Sequence, residues 1–157
     1  MAWSVSKIFT ATITDLTNNT TAIDLNTDAS LKVALYDNDI TPDQTVTSAN
    51  TAYNVGQWVT TGNEVSDGAE WAVGGVALAS VTSTFSTNVY TFDAANTASG
   101  SSATLLAVFG CLVYDDTITT PVADQGISYN YFGGSNSVVN GQFTVVWHAN
   151  GIWRITL

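Results

Sequence analysis

Short runs of apolar residues, separated by clusters of Asn, Asp, Gly and Ser, recur along the whole chain. This spacing is typical of antiparallel sandwiches and jelly rolls, whose short strands are joined by polar turns. The runs predict strands at residues 31–37, 76–82, 89–93, 104–114, 126–132, 142–148 and 152–157, and loops near 18–21, 41–54, 94–102 and 133–140. The pattern therefore predicts a mainly β, single-domain antiparallel β-sandwich, jelly-roll or immunoglobulin-like, over residues 1–157.

The N-terminal segment departs from this pattern, because its apolar residues follow helical spacing. These residues are Val5, Ile8, Phe9, Ile13 and Leu16. They predict a short helix that lays one apolar stripe on the sheets, although its threonines are weak helix formers. The first 15 residues contain no apolar core of the kind found in signal peptides, so the domain is expected to begin at residue 1.

The last 16 residues contain two alternating stretches separated by Ala149, Asn150 and Gly151. A two-residue Asn-Gly turn would set the apolar row of each strand against the polar row of the other. A three-residue loop with Gly151 in the left-handed conformation gives one continuous apolar face instead. That hairpin would pair Trp147 with Trp153, Val145 with Ile155, and Phe143 with Leu157.

The stretch 104–114 is apolar at both alternating sets of positions. Leu105, Ala107, Phe109, Cys111 and Val113 form one set, and Leu106, Val108 and Leu112 form the other. A strand with two apolar faces is covered on both sides, either within the domain or by a neighbouring subunit. Cys111 is expected to fill core space, because the strand offers it neither a partner base nor a positively charged surrounding.

Composition supports a β-rich fold and limits the range of partners. The 157 residues include 24 Thr and 17 Val, whose branched side chains fit a pleated sheet. Three Lys and Arg against 13 Asp and Glu give a formal net charge of −10, which disfavours nucleic acid and membrane partners. The single cysteine excludes an intrachain disulfide, so an oxidising compartment gains no support.

Catalytic and metal-binding patterns are weak in this sequence. His148 is the only histidine, it stands at a predicted strand end, and no G-x-S-x-G motif accompanies it. The acidic loop 37–43 fails the EF-hand spacing and is better explained as a turn around Pro42. Asp115 and Asp116 are adjacent on a strand and would point to opposite sides. We therefore expect no enzyme, no bound cofactor and no metal site.

The tryptophans are expected to serve mainly in packing. The predicted C-terminal hairpin places Trp147 and Trp153 in the core, and burial is the default for Trp3, Trp58 and Trp71. An exposed aromatic platform that stacks on sugars is the alternative.

Segments in both halves of the chain resemble a family of tailed-bacteriophage virion proteins. In the first half these are KVALY at 32–36, TPD at 41–43, NEV at 63–65, GGVAL at 74–78 and FDA at 92–94. In the second half they are VYDD at 113–116, Pro121, FGG at 132–134, NGQFTV at 140–145, Trp147 and GI at 151–152. The resemblance extends over residues 8–157, and its motifs are structural rather than catalytic.

The resemblance implies a β-rich virion structural protein, made in the cytoplasm of the host bacterium. We expect a minor capsid or decoration protein that binds the major capsid protein on the outside of the head shell, as a homo-oligomer such as a dimer or trimer. Trp3, Lys7, Ile8 and Phe9 are the docking residues that we predict. A tail-associated adhesive protein that binds surface glycans is the alternative.

Overall fold

The computed structural model describes residues 3–157, which form antiparallel sheets and two short helices. The strands are β1 (Lys7–Ile8), β2 (Leu31–Tyr36), β3 (Glu64–Val65), β4 (Val76–Ala77), β5 (Thr82–Ser86), β6 (Val89–Asp93), β7 (Thr97–Ala98), β8 (Ala103–Asp115), β9 (Gly126–Gly141), β10 (Thr144–Val145) and β11 (Trp153–Thr156). The helices are α1 (Thr10–Asn18) and α2 (Ser48–Thr51), with single 3-10 turns at Asp28–Ser30 and Gly56–Trp58. The mainly β, antiparallel sandwich predicted from the sequence is confirmed.

The largest sheet has the strand order β1-β9-β8-β2-β3, with β4 also paired to β2. A three-stranded sheet has the order β11-β6-β5, and a two-stranded sheet joins β10 to β7. Every pair in these sheets is antiparallel. Strands β1 and β11 therefore lie at the edges of their sheets, a position that matters for the candidate site.

The central strand β8 is covered on both faces by the chain itself, as its two apolar faces predicted. One cluster packs side chains of the large sheet, such as Val113, against Phe92 of β6 and Val145 of β10. The second cluster packs Leu112 and Tyr114 of β8 against aromatic residues from outside the sheet. The large sheet is thus the middle layer of the fold.

The predicted alternation along β8 is wrong in its first half. Ala107 has a φ of +56°, and the β8–β9 register shifts between Leu105 and Val108. An extra residue of this kind is a β-bulge, which changes the face to which the following side chains point. Leu105 and Val108 consequently share one core cluster with Cys111, whereas Leu106 is 56% exposed.

The prediction of a C-terminal hairpin is also wrong, although the turn at residues 149–151 is formed. Gly151 has a φ of +89°, and its N–H donates to the His148 carbonyl at 2.7 Å. Beyond the turn the strands separate, because β10 pairs with β7 and β11 pairs with β6. Gly151 passes so close to β6 that an added Cβ would lie 2.6 Å from the Phe92 carbonyl oxygen. The Ile152 N–H donates to that same oxygen at 2.9 Å. The last strand therefore forms its hydrogen bonds with β6 and not with β10.

Several further predictions differ in extent from the structure. The predicted strand 142–148 is reduced to β10, and the predicted loops 41–54 and 94–102 contain α2 and β7. The predicted strand 76–82 is interrupted, because the Asp28 carboxylate accepts the N–H groups of Ser80 at 2.8 Å and Val81 at 2.7 Å. The predicted loop 133–140 is part of β9, and a register shift near Gly133 accommodates its irregular backbone. Glycine and polar residues are typical of loops, but here β8 supplies a pairing partner along one side.

The N-terminal helix is shorter than its apolar spacing predicted. Lys7 and Ile8 pair with β9, so α1 begins only at Thr10. The helix ends at Asn18, and the following residue has the left-handed conformation that closes many helices. No helix in residues 3–157 has both the length and the apolar character needed to cross a membrane.

Candidate functional site

The structure divides the four predicted docking residues into two buried and two accessible ones. Trp3 is 2% exposed and donates from its indole N–H to the Asp37 carbonyl at 2.6 Å. Phe9 is fully buried and lies with Trp3 in the second core cluster. Neither side chain offers the apolar surface contact expected of it. Lys7 is exposed and Ile8 is half-buried, and both belong to the edge strand β1.

The other singled-out residues also have structural partners. Trp58 and Trp71 are fully buried, as expected, and Trp153 is half-buried. Cys111 is fully buried, and burial raises the pKa of its thiol far above the usual value, so it stays protonated. His148 is exposed, and its Nδ1 accepts the Asn150 N–H at 3.0 Å within the turn.

The acidic loop residues close turns. Asp37 accepts the Asp39 N–H at 2.8 Å, and Asp43 accepts the Thr45 N–H at the same distance. Bonds of this type stabilise tight loops without any ligand. Among residues 3–157 no group of three or more His, Cys, Asp or Glu side chains is arranged to hold a metal ion.

Glu64 is a half-buried carboxylate that links two loops to the large sheet. Its side chain accepts the Tyr53 hydroxyl and the Gly74 N–H, each at 2.8 Å. The Tyr53 ring stacks on Tyr114 with 4.8 Å between centroids, and the Tyr114 hydroxyl donates to the Gly74 carbonyl at 2.7 Å. Burial raises the pKa of the Glu64 carboxyl, although both of its hydrogen bonds act in the opposite direction. This network fastens the loops around Tyr53 and Gly74 to the large sheet.

The Glu64 network predicts a pH-dependent stability difference. A carboxyl whose pKa is higher in the folded chain binds its proton more tightly there, so its contribution to stability falls as pH rises from about 4.5 through the folded pKa. We expect Glu64→Gln, which cannot ionise, to gain stability relative to the wild type across that range. Urea unfolding at a series of pH values measures this difference. Asp39→Asn, at an exposed position, is the control for net charge, and a difference for Glu64→Gln that does not change with pH would contradict the expectation.

Three adjoining cavities form a continuous groove on one side of the sandwich, which we call the edge groove. Their volumes are about 340, 240 and 280 Å³. The lining residues are 6–8, 130–132, 136, 143–148 and 151–154. The groove thus follows β9 and is bounded by β1 and by the segments on both sides of the 149–151 turn. Val146 on its wall is 70% exposed, which places an apolar contact at the surface.

The edge groove has a different charge from the rest of the molecule. All 13 Asp and Glu residues lie between positions 15 and 124, and none lines the groove. Lys7 and Arg154 line one end, and neither forms a salt bridge within residues 3–157. The third basic residue, Lys32, pairs with Asp116 at 2.7 Å and lies outside the groove. The two cations without an ionic partner are therefore in one place.

Several polar atoms of groove residues are buried without a hydrogen-bond partner in the part of the chain described. They are Asn130 Oδ1, Trp147 Nε1 and Trp153 Nε1. These atoms have almost no surface exposed to solvent, so they are not available to a molecule lying in the groove. The features of the edge groove that fit a docking site are its positive charge and its exposed apolar surface.

The sequence indicated only one end of this groove. Lys7 and Ile8 belong to that end together with Ser6, and the other lining residues come from segments more than 120 positions away in the chain. The absence of Asp and Glu after position 124 was an available signal that the C-terminal segments form a surface of different charge.

Comparisons of the chain with protein-family models, curated proteins and solved structures find no match. Function is therefore inferred from the residues and from the geometry of the edge groove.

Proposed function

We propose that this chain is a bacteriophage virion structural protein, a minor capsid or decoration protein attached to the outside of the head shell. The proposal comes from the resemblance of the segments between residues 8 and 157 to such proteins. In the fold, KVALY at 32–36 coincides with β2, and VYDD at 113–116 includes the end of β8, its neighbour. These segments build the framework rather than a reactive centre, which fits a structural role.

The edge groove is the observation that carries the docking role. One side of it is formed by the paired strand β9, and the other includes the irregular segments 146–148 and 151–152 that flank the turn. It also lacks the negative charge found on the rest of the chain, so a partner can approach it with less repulsion. We propose that the groove contacts the major capsid protein, with Lys7 and Ile8 as part of the contact.

The acidic remainder of the surface fits a protein that must stay soluble before it joins a particle. A shell offers many identical sites, so subunits that associate as dimers or trimers can combine weak single contacts. We therefore propose a homo-oligomer on the capsid exterior.

A tail-associated, glycan-binding protein is the second candidate. The tryptophans are buried or half-buried, so they offer no exposed stacking platform. A glycan would instead lie in the edge groove, where Tyr131, Phe132 and Phe143 are half-buried aromatic side chains.

Fractionation of particles separates the two candidates. Particles of the virus that encodes the chain are dissociated stepwise into tails and heads, and the chain is detected in each fraction with an antibody. We expect it to remain with the heads and to be released by conditions that leave the shell intact. Its enrichment in the tail fraction, or its absence from purified particles, would reject the decoration proposal.

A further inference from the structure

We propose that the edge groove binds an extended, acidic segment of the partner protein, which adds as a strand at the open edge of the sandwich. This inference rests on the proposed docking function, and it names the chemistry of the partner at that same surface.

The shape of the groove fits an extended polypeptide. One wall is β1, the outer strand of the large sheet, and the opposite wall includes Trp153 and Arg154 of β11, the outer strand of the three-stranded sheet. An edge strand has a row of N–H and C=O groups without a neighbouring strand, and such a row can pair with an added strand. Ladder pairing of β1 with β9 is limited to Ser128 and Tyr129, and the Tyr131 N–H donates to the Ser6 hydroxyl at 2.9 Å. The groove continues along β9, where an added strand could pair beyond Tyr131.

The length of the groove fits a short strand. It follows β9 from Asn130 to Asn136, which pair with Cys111 and Val108 of β8 because β9 bulges between them. At about 3.3 Å per residue of β8, the distance is about 10 Å, which an extended segment of roughly three to four residues would span. In strand addition, main-chain hydrogen bonds give affinity and alternate side chains give specificity.

Charge indicates that the segment is acidic. Lys7 and Arg154 face the same end of the groove, and both are exposed and without an ionic partner among residues 3–157. A guanidinium group can bind a carboxylate through two parallel hydrogen bonds, and an ammonium group adds attraction. No carboxylate of the chain lines the groove to compete for these cations.

The open strand edges favour a peptide over an anionic polysaccharide. A main chain supplies donors and acceptors in regular alternation along a strand, and the two open strand edges require the same alternation. A polysaccharide would satisfy the cations but would leave the strand edges without regular partners.

Peptide binding tests this inference directly. The probe is a fluorescein-labelled peptide of about eight residues in which valine alternates with aspartate. The control peptide has asparagine in place of each aspartate. Fluorescence anisotropy measures binding to the full chain. We expect the acidic peptide to bind more tightly than the control peptide, and Lys7→Gln and Arg154→Gln each to weaken binding by about three- to tenfold.

Lys32→Gln is the matched control variant. It removes one positive charge from the chain, as the two groove variants do, but its position lies outside the groove. We expect it to change the dissociation constant less than about twofold. Unfolding curves of all three variants establish that each is folded, which is expected because the two groove cations are exposed.

Hydrogen exchange locates the bound segment. Saturation with the acidic peptide should protect backbone N–H groups of residues 132–136 and of β11. Equal binding of the asparagine peptide, or an equal loss of affinity in Lys32→Gln, would overturn the proposal. Preferential binding of a hyaluronan oligosaccharide would also overturn it, in favour of a glycan. If particle fractionation places the chain on heads but the acidic peptide does not bind, only the strand proposal fails.

Discussion

Replacement of Trp58 by alanine is expected to destabilise the protein by about 3–5 kcal/mol. Trp58 is fully buried at the centre of the second core cluster. The centroid of its ring lies 5.2 Å from the ring centroid of Tyr36 and 5.9 Å from that of Trp3, and both pairs have an edge-to-face geometry. Alanine would leave a cavity that these rigid rings could fill only in part, so lost contacts and lost burial add together. The free energy of unfolding from urea titration measures the loss.

Two control variants test whether the loss of stability in Trp58→Ala comes from removal of the aromatic ring. Trp58→Phe keeps an aromatic side chain and removes an indole N–H that has no hydrogen-bond partner, so it should cost less than the alanine variant. Val59→Ala changes the adjacent residue, which is 37% exposed, and should cost less than about 1 kcal/mol. Equal losses in Trp58→Ala and Val59→Ala would show that the aromatic cluster is not central to stability.

Gly75→Ala is expected to destabilise the fold by about 2–4 kcal/mol. Gly75 has a φ of +78°, which costs a residue with a Cβ about 1 kcal/mol. The new Cβ would also overlap the backbone carbonyl of Val33 in β2. Because β2 is paired with β8 and β4, that backbone cannot move without disturbing two ladders.

Gly62→Ala separates the two contributions. Gly62 has a φ of +85°, close to that of Gly75, but an added Cβ there would meet no atom within 4 Å. Gly62→Ala should therefore lower the free energy of unfolding only by the cost of the positive φ, about 1 kcal/mol. Urea unfolding of both variants measures the difference, and losses of equal size would contradict the close approach of Gly75 to β2.

Local sequence pattern predicted the fold class, because each strand must present apolar residues to a core regardless of its partner. The stretch 104–114 is the clearest case, since its two apolar faces predicted a central strand and β8 is central. Pattern did not predict the bulge at Ala107, because alanine gives no local sign of a positive φ. Local pattern also did not predict pairing between strands that are distant in the chain. It predicted the C-terminal turn with its glycine, but β10 pairs with β7 and β11 pairs with β6 instead of with each other.

The candidate site was predictable only in part for the same reason. The sequence indicated that Lys7 and Ile8 belong to a docking segment, and both lie at the edge groove. It also assigned surface contacts to Trp3 and Phe9, although large aromatic residues more often fill cores and these two do. The groove as a whole arises from three segments brought together by the strand order, and no local motif specifies that proximity.

A cryo-electron microscopy map of the intact particle is the most direct measurement of the central claim, that the edge groove attaches this chain to an assembled shell. We expect density for the sandwich on the outer surface of the head, with β1 and β11 facing the shell and an extended segment of the major capsid protein lying along β9. Density that places the chain on the tail, or on the head with the edge groove open to solvent, would contradict it.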